Sequence, residues 1–111
     1  MSEGMKTIIY PVKDLARAKT LYSKLLGVEP EYDHTYYVGF SVGGHHVGLG
    51  PQGHRHGMTG YWHVDDIRKS LKLLLDAGAQ ALQEVKDVGR GKLIASVKDP
   101  DGNVIGLTQS P

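Results

Sequence analysis

Residues 98–109 of the chain read KDPDGNVIGLTQ. The first half of this stretch is typical of a tight turn, because Pro100 presets a negative φ, Asp side chains can hydrogen-bond the local backbone, and Gly102 tolerates a positive φ. The second half is apolar and β-branched apart from Gly106, which predicts a strand. We therefore expect a hairpin corner that leads into the final strand of a sheet.

A shorter echo of this strand, VGLG, lies at residues 47–50, and an amphipathic helix is predicted upstream of each copy. The first helix begins after Asp14, repeats apolar residues at three- and four-residue spacing over residues 15–26, and ends at Gly27. The second ends at Gly78. It is capped by Asp65 or Asp66, and its apolar face comprises Ile67, Leu71, Leu74 and Leu75.

Runs of β-branched and aromatic residues predict the strands around these helices. They lie at residues 6–12, 31–34, 36–42 and 45–50 in the first half, and at 60–64, 81–85, 93–97 and 103–109 in the second. The order strand, helix, three strands thus occurs twice, which indicates an internal duplication. We predict an α+β fold in which a single domain, 1–111, contains two βαβββ modules, 5–50 and 59–111, joined by a loop at 51–58.

Composition excludes several classes of function. The formal net charge is +1 and both signs are dispersed, so the sequence predicts no nucleic-acid partner and no anionic membrane partner. No apolar run is long enough to span a bilayer, and the first residues lack the apolar core of a signal peptide, so a cytoplasmic location is expected. Zero cysteines exclude disulfides, thiolate zinc sites and cysteine nucleophiles.

Three segments resemble the vicinal-oxygen-chelate superfamily, which groups glyoxalase I, bleomycin-resistance proteins and extradiol dioxygenases. They are VKDLARAKTLYSKLLGV at 12–28, VDDIRKSLKLLLDAGA at 64–79 and DPDGNVIGL at 99–107. The resemblance implies curved sheets around a cup, with the helices outside and a small-molecule ligand inside. It also implies a homodimer in which cups are shared between chains.

Enzymes of that superfamily hold a divalent metal with one side chain on the first strand and one on the last strand of each module. Carried over by resemblance, these positions fall on Thr7, Gly48, Thr59 and Gly106. Glycine has no donor atom and a neutral threonine hydroxyl is a poor ligand for a divalent ion. We therefore predict no metal and no cofactor, and we expect the glycines to leave their strands bare and to widen the cup.

Strand alternation predicts which side chains line the cup. It turns the two neighbouring histidines His45 and His46 to opposite faces and directs Trp62 toward the helix layer, where we expect it in the core. Tyrosines of the lining could stack on a planar ligand. The predicted ligand-binding residues are Tyr37, Ser41, His46, Gly48, Tyr61, His63, Ser96 and Gly106.

The leading functional hypothesis is a metal-independent binding protein of the bleomycin-resistance type. It would sequester an aromatic or peptide-like compound, antibiotic resistance being one such role, and would need no catalytic residue. Two alternatives stay open: a lyase, isomerase or dioxygenase with a metal relocated to His46 and His63 or with one of them as general base, and a non-catalytic interaction module. The loop Gly53–Gly57 is either a solvated linker or a lid.

Overall fold

The structure, a computed structural model, describes residues 2–51 and 57–111. The chain divides into two compact units, an N-terminal unit, Lys6–Thr59, and a C-terminal unit, Gly60–Pro111 together with the first residues through Met5. The elements of the first half are β1 Ser2–Pro11, α1 Leu15–Leu26, β2 Tyr32–Asp33, β3 Val38–Val42 and β4 His45–Gly50. Those of the second half are β5 Thr59–Val64, α2 Ile67–Asp76, β6 Gln80–Asp87, β7 Leu93–Lys98 and β8 Val104–Gln109.

The two halves have the same strand topology. In the first half β1 runs parallel to β4, which pairs antiparallel with β3, and β3 pairs antiparallel with β2. In the second half β5 runs parallel to β8, followed in the same antiparallel manner by β7 and β6. The predicted α+β fold of two βαβββ modules is confirmed.

Both helices are capped at their N-termini by aspartates that the sequence suggested. The Asp14 carboxylate accepts a hydrogen bond of 3.1 Å from the Arg17 amide, and α1 ends at Gly27 with a φ of 73°. At α2 the cap is Asp66, which accepts a 3.1 Å hydrogen bond from the Lys69 amide. Each side chain satisfies an amide that the first helical turn leaves unpaired.

Each unit packs its helix against one face of its own sheet. In the N-terminal unit α1 lies over β3 and β4, and the buried centre is Val38, Phe40 and Leu49. In the C-terminal unit α2 packs mainly against β7 and also against β6 and β8. The buried centre there comprises Val64, Ile67, Ala95 and Leu107, with Leu71 and Leu74 packed against it.

One prediction about the second core is wrong. Trp62, expected in the core, is 39% exposed because it lies on β5, beside the three strands that α2 covers. Leu75, a member of the predicted apolar face of α2, is 37% exposed near the end of that helix. Alternation had given the side of the sheet correctly for Trp62, which pairs with the core residue Leu107. It could not give the width of the area that a helix covers.

The turn between β7 and β8 is organised by a single carboxylate. Asp99 accepts hydrogen bonds from the backbone amides of Asp101 and Asn103, at 2.9 and 2.8 Å, and from the side-chain amide of Asn103 at 2.9 Å. Gly102 takes a φ of 89°. The bonds from Asn103 hold the pKa of the Asp99 carboxyl below its usual value, because they stabilise its charged form.

We predict that Asp99→Ala lowers the thermal denaturation midpoint at neutral pH. A folded-state pKa below the unfolded one means that Asp99 stabilises the fold above the unfolded pKa and that this stabilisation is lost as the pH falls through the folded pKa. The gap between wild type and variant should therefore close in acid. Asp101→Ala, which spares the three hydrogen bonds accepted by Asp99, is the control, and an equal loss in both variants would contradict this role for Asp99.

Candidate functional site

The candidate site lies on the face of each sheet that carries no helix, here called the helix-free face. In the N-terminal unit the residues that alternate with the core form rows across three strands. His46 pairs with Thr7 on one side and Ser41 on the other. Gly48 pairs with Ile9 and Gly39 in the next row.

Tyr37 and His46 form the most distinctive pair on this face. A hydrogen bond of 2.5 Å joins the Tyr37 hydroxyl to His46 Nε2. Their ring centroids are 6.0 Å apart and the ring planes differ by 11°. His45 is exposed, with its Nδ1 3.0 Å from the Gly43 carbonyl oxygen, so the prediction that the two histidines face opposite ways is confirmed.

The space above Gly48 is filled. A Cβ atom placed on Gly48 would collide with the Tyr37 hydroxyl oxygen and would lie 2.6 Å from Ile9 Cδ1. The expectation that this glycine leaves its strand bare and widens the cup is therefore wrong. Gly48 lacks a side chain because Tyr37 and Ile9 occupy the place where one would lie.

Gly106 repeats this arrangement in the C-terminal unit. It pairs with Tyr61 on β5 and with Ser96 on β7, and a Cβ atom placed on it would lie 2.6 Å from Tyr61 Cδ1. The Gly60 carbonyl oxygen would be 2.9 Å away. The expectation of a bare strand and a wider cup is therefore wrong at Gly106 as well, because the ring of Tyr61 covers the glycine. Burial raises the pKa of the Tyr61 phenol.

The eight predicted binding residues fall into two groups of four, one on each helix-free face. Alternation also turns Gly39 and Ile9 toward the cup, but neither was included among the predicted binding residues, although both contact the first group. Residues 52–56 lie outside the described part of the chain, and with them all but the last residue of the predicted linker or lid at Gly53–Gly57. The first group is Tyr37, Ser41, His46 and Gly48, and the second is Tyr61, His63, Ser96 and Gly106.

The residues at the family's metal positions do not fit a divalent ion. Gly48 and Gly106 offer no donor atom and lie beneath tyrosine side chains, while Thr7 and Thr59 offer only hydroxyls. The described residues contain no group of three or more His, Asp or Glu that could hold a metal. His46 Nε2 is engaged by Tyr37. No step of a reaction is therefore assigned to a metal at these positions.

The fold and these two faces define an α+β protein built from a duplicated βαβββ unit. The family model of the Glyoxalase/Bleomycin resistance protein/Dioxygenase superfamily matches residues 4–107, so the chain belongs to this superfamily. Comparison with curated proteins finds no match.

Solved structures share the fold at low sequence identity. A superfamily member from Vibrio splendidus 12B01 has 19% identity and a TM-score of 0.73, with 99% of this chain and 100% of that chain covered. Methylmalonyl-CoA epimerase from Mycobacterium tuberculosis has 18% identity and a TM-score of 0.71, covering 99% and 90%. The Mn(II)-bound glyoxalase from Novosphingobium aromaticivorans has 20% identity and a TM-score of 0.73, covering 98% of this chain and 40% of that one.

We predict that alanine substitutions at three glycines of the helix-free faces lower the free energy of unfolding by different amounts. Gly106→Ala should lower the free energy of unfolding by about 1–3 kcal/mol, because the added Cβ meets the Gly60 backbone oxygen as well as Tyr61. Gly48→Ala should cost about 1 kcal/mol, because only side-chain ends must move. Chemical denaturation gives these values.

Gly50→Ala is the matched control on β4. Its added Cβ would have one contact within 4 Å, with Tyr37 Cδ1 at 3.9 Å, which is an ordinary van der Waals distance. We expect a change of less than about 0.5 kcal/mol. Equal stability of all three variants would show that the tyrosines do not occupy the space above Gly48 and Gly106.

We also predict a specific loss of stability in alkali. Because burial raises the pKa of Tyr61 above the ordinary value, the folded state keeps its phenolic proton at a pH where the unfolded state has lost it. Tyr61 therefore opposes unfolding below the unfolded pKa, and this contribution falls as the pH rises above about 10. Tyr61→Phe should reduce the alkaline loss in denaturation curves, whereas Tyr32→Phe, at a half-exposed position, should not. Identical denaturation curves for Tyr61→Phe and wild type would contradict this role of the Tyr61 phenol in the alkaline loss of stability.

Proposed function

We propose that this chain is a metal-independent small-molecule binding protein that takes an aromatic or peptide-like compound on its helix-free faces. The main support for the proposal is that Tyr37 and Tyr61 occupy the space above Gly48 and Gly106, two positions where enzymes of the superfamily have metal ligands. A binding protein needs a shaped surface with a few orienting polar groups. It needs no Lewis acid.

The chemistry of the faces supports this choice of ligand. Tyrosine supplies a flat, largely apolar surface with a polar end, and such rings gain about 0.5–1.5 kcal/mol from ring contacts beyond the burial of their area. Ser41 and His46 flank Tyr37 with hydrogen-bonding groups, and Ser96 and His63 lie on the face of Tyr61. The members of these two groups include no carboxylate, so they favour neutral or weakly anionic ligands.

Homodimerisation, a cytoplasmic location and a role in antibiotic resistance belong to the same proposal. The superfamily resemblance supports the homodimer, because many members share a cup between two chains. Among the described residues, neither helix has the length and apolar character needed to cross a membrane. The dispersed charge of +1 is in keeping with a small-molecule ligand rather than a nucleic acid.

A second candidate function is proton transfer without a metal. The hydrogen bond between Tyr37 and His46 Nε2 favours it, because a phenol linked to an imidazole can pass a proton between the two groups. The structural neighbours include an epimerase and a glyoxalase, which are enzymes. Their identity to this chain is 18–20%, so they support the fold and only suggest a reaction class.

Two calorimetric titrations test the proposal. Chelator-treated protein should show no stoichiometric binding of zinc, nickel, cobalt or manganese. A panel of aromatic metabolites, peptides and aromatic antibiotics should contain at least one compound that binds with micromolar or better affinity and raises the denaturation midpoint. The midpoint should rise less in His46→Ala, which removes one group of the proposed site.

Other outcomes would redirect the assignment. Binding of about one metal ion per chain, abolished in His46→Ala or His63→Ala, would favour an enzyme with a relocated metal. Turnover of a ligand that stops in a folded His46→Ala variant would favour the proton-transfer function. Failure of every compound in the panel to bind would overturn the proposed function and leave the non-catalytic interaction module.

A further inference from the structure

The Tyr37 and His46 rings lie side by side rather than one above the other. A phenolic oxygen lies in the plane of its ring, and His46 Nε2 is 2.5 Å from that oxygen, so Nε2 cannot lie more than 2.5 Å out of the Tyr37 plane. Stacked rings are separated by about 3.5 Å. With only 11° between the planes and 6.0 Å between the centroids, the two rings form one nearly continuous flat surface.

Three glycines form a floor beneath the Tyr37 ring. Cβ atoms placed on Gly39, Gly48 and Gly50 would meet Tyr37 at Cε2, at the hydroxyl oxygen and at Cδ1, respectively. These three atoms do not lie on one line, so the ring lies flat along the sheet instead of standing up from it. All three glycines are buried.

The same floor supports the histidine. A Cβ atom placed on Gly39 would lie 2.7 Å from His46 Cε1 and 3.2 Å from its Nε2. Both rings thus turn one face toward glycine backbone and the other away from their own sheet, and both keep partial exposure. Hydroxyl groups from Thr7 and Ser41 flank His46 in its row.

We infer that the coplanar Tyr37–His46 pair is a stacking platform that selects flat, fused-ring aromatic ligands over single-ring or twisted ones. This inference rests on the proposed function and names the ligand class for the N-terminal unit. A fused system of two or three rings covers both side chains at once, whereas a single ring covers only one of them. A twisted biaryl contacts one ring well and lifts away from the other.

Three probes of equal charge test the selection: anthracene-2-sulfonate, biphenyl-4-sulfonate and benzenesulfonate. Fluorescence and calorimetric titration should give the order anthracene, biphenyl, benzene, with about tenfold or more between the first and the last. Tyr37→Leu should weaken anthracene-2-sulfonate binding about tenfold, while Tyr37→Phe, which keeps the ring, should retain the order of the probes. Tyr36→Leu removes a neighbouring tyrosine that is 69% exposed, and should change the affinity less than about twofold.

A second variant keeps the test valid if Tyr37→Leu does not fold. Gly39→Ala places a Cβ 2.7 Å from His46 Cε1 and 3.2 Å from Tyr37 Cε2, and the closer contact should tilt the histidine ring out of the plane while both rings remain. It should remove most of the preference for anthracene over biphenyl.

The platform is wrong if the three probes bind equally, or if Tyr37→Leu and Gly39→Ala, where they fold, keep the wild-type preference for anthracene-2-sulfonate. When panel compounds nevertheless bind independently of Tyr37, the proposed binding function stands and only the platform falls. If neither the probes nor any panel compound binds, both fall.

Discussion

Absence of a side chain at Gly48 and Gly106 is the constraint from which the rest of both helix-free faces follows. Each glycine lies on the last strand of its unit, paired with the first strand. A Cβ at either position would overlap a tyrosine. Because the backbone is bare there, an aromatic ring can lie on the sheet at van der Waals distance. The same constraint removes a donor atom from the place where superfamily enzymes hold their metal.

The two units share a topology but differ in chemistry. In the N-terminal unit the residue beside the glycine on the first strand is Ile9, and the covering tyrosine comes from the segment before β3. In the C-terminal unit the first-strand residue is itself the tyrosine, Tyr61. Only the first arrangement puts a tyrosine hydroxyl on a histidine among the hydrogen bonds described. The two units therefore share a strand glycine with a tyrosine ring above it, but the tyrosine comes from a different place in the chain in each unit.

Much of the fold follows from local physics that a single sequence displays. Helix α1 was predicted with both caps, because Asp14 and Gly27 each have a specific backbone role at a helix end. Alternation assigned the faces of β3 and β4 correctly, since a period of two leaves no intermediate choice. The prediction that Trp62 is buried failed because its exposure depends on which strands α2 covers. That coverage is decided by packing between residues far apart in the sequence.

The candidate site shows the same limit more sharply. Alternation placed Tyr37, His46 and Gly48 on one face, yet it treated the glycine as empty space. A side chain on a strand leans along the strand as well as away from the sheet, and Tyr37 crosses the Gly39–Gly48 row to meet His46 in the row beyond. The length of a tyrosine matches that reach, whereas a shorter side chain at residue 37 would leave only Ile9 against Gly48. To predict that a strand glycine is covered, one must know which residue it pairs with on the next strand. One must also know whether a long side chain lies two positions from that residue. Here Tyr37 precedes Gly39 by two residues, and Gly39 pairs with Gly48. The contact between Tyr37 and Gly48 therefore follows from the sequence only when the pairing of β3 with β4 is known.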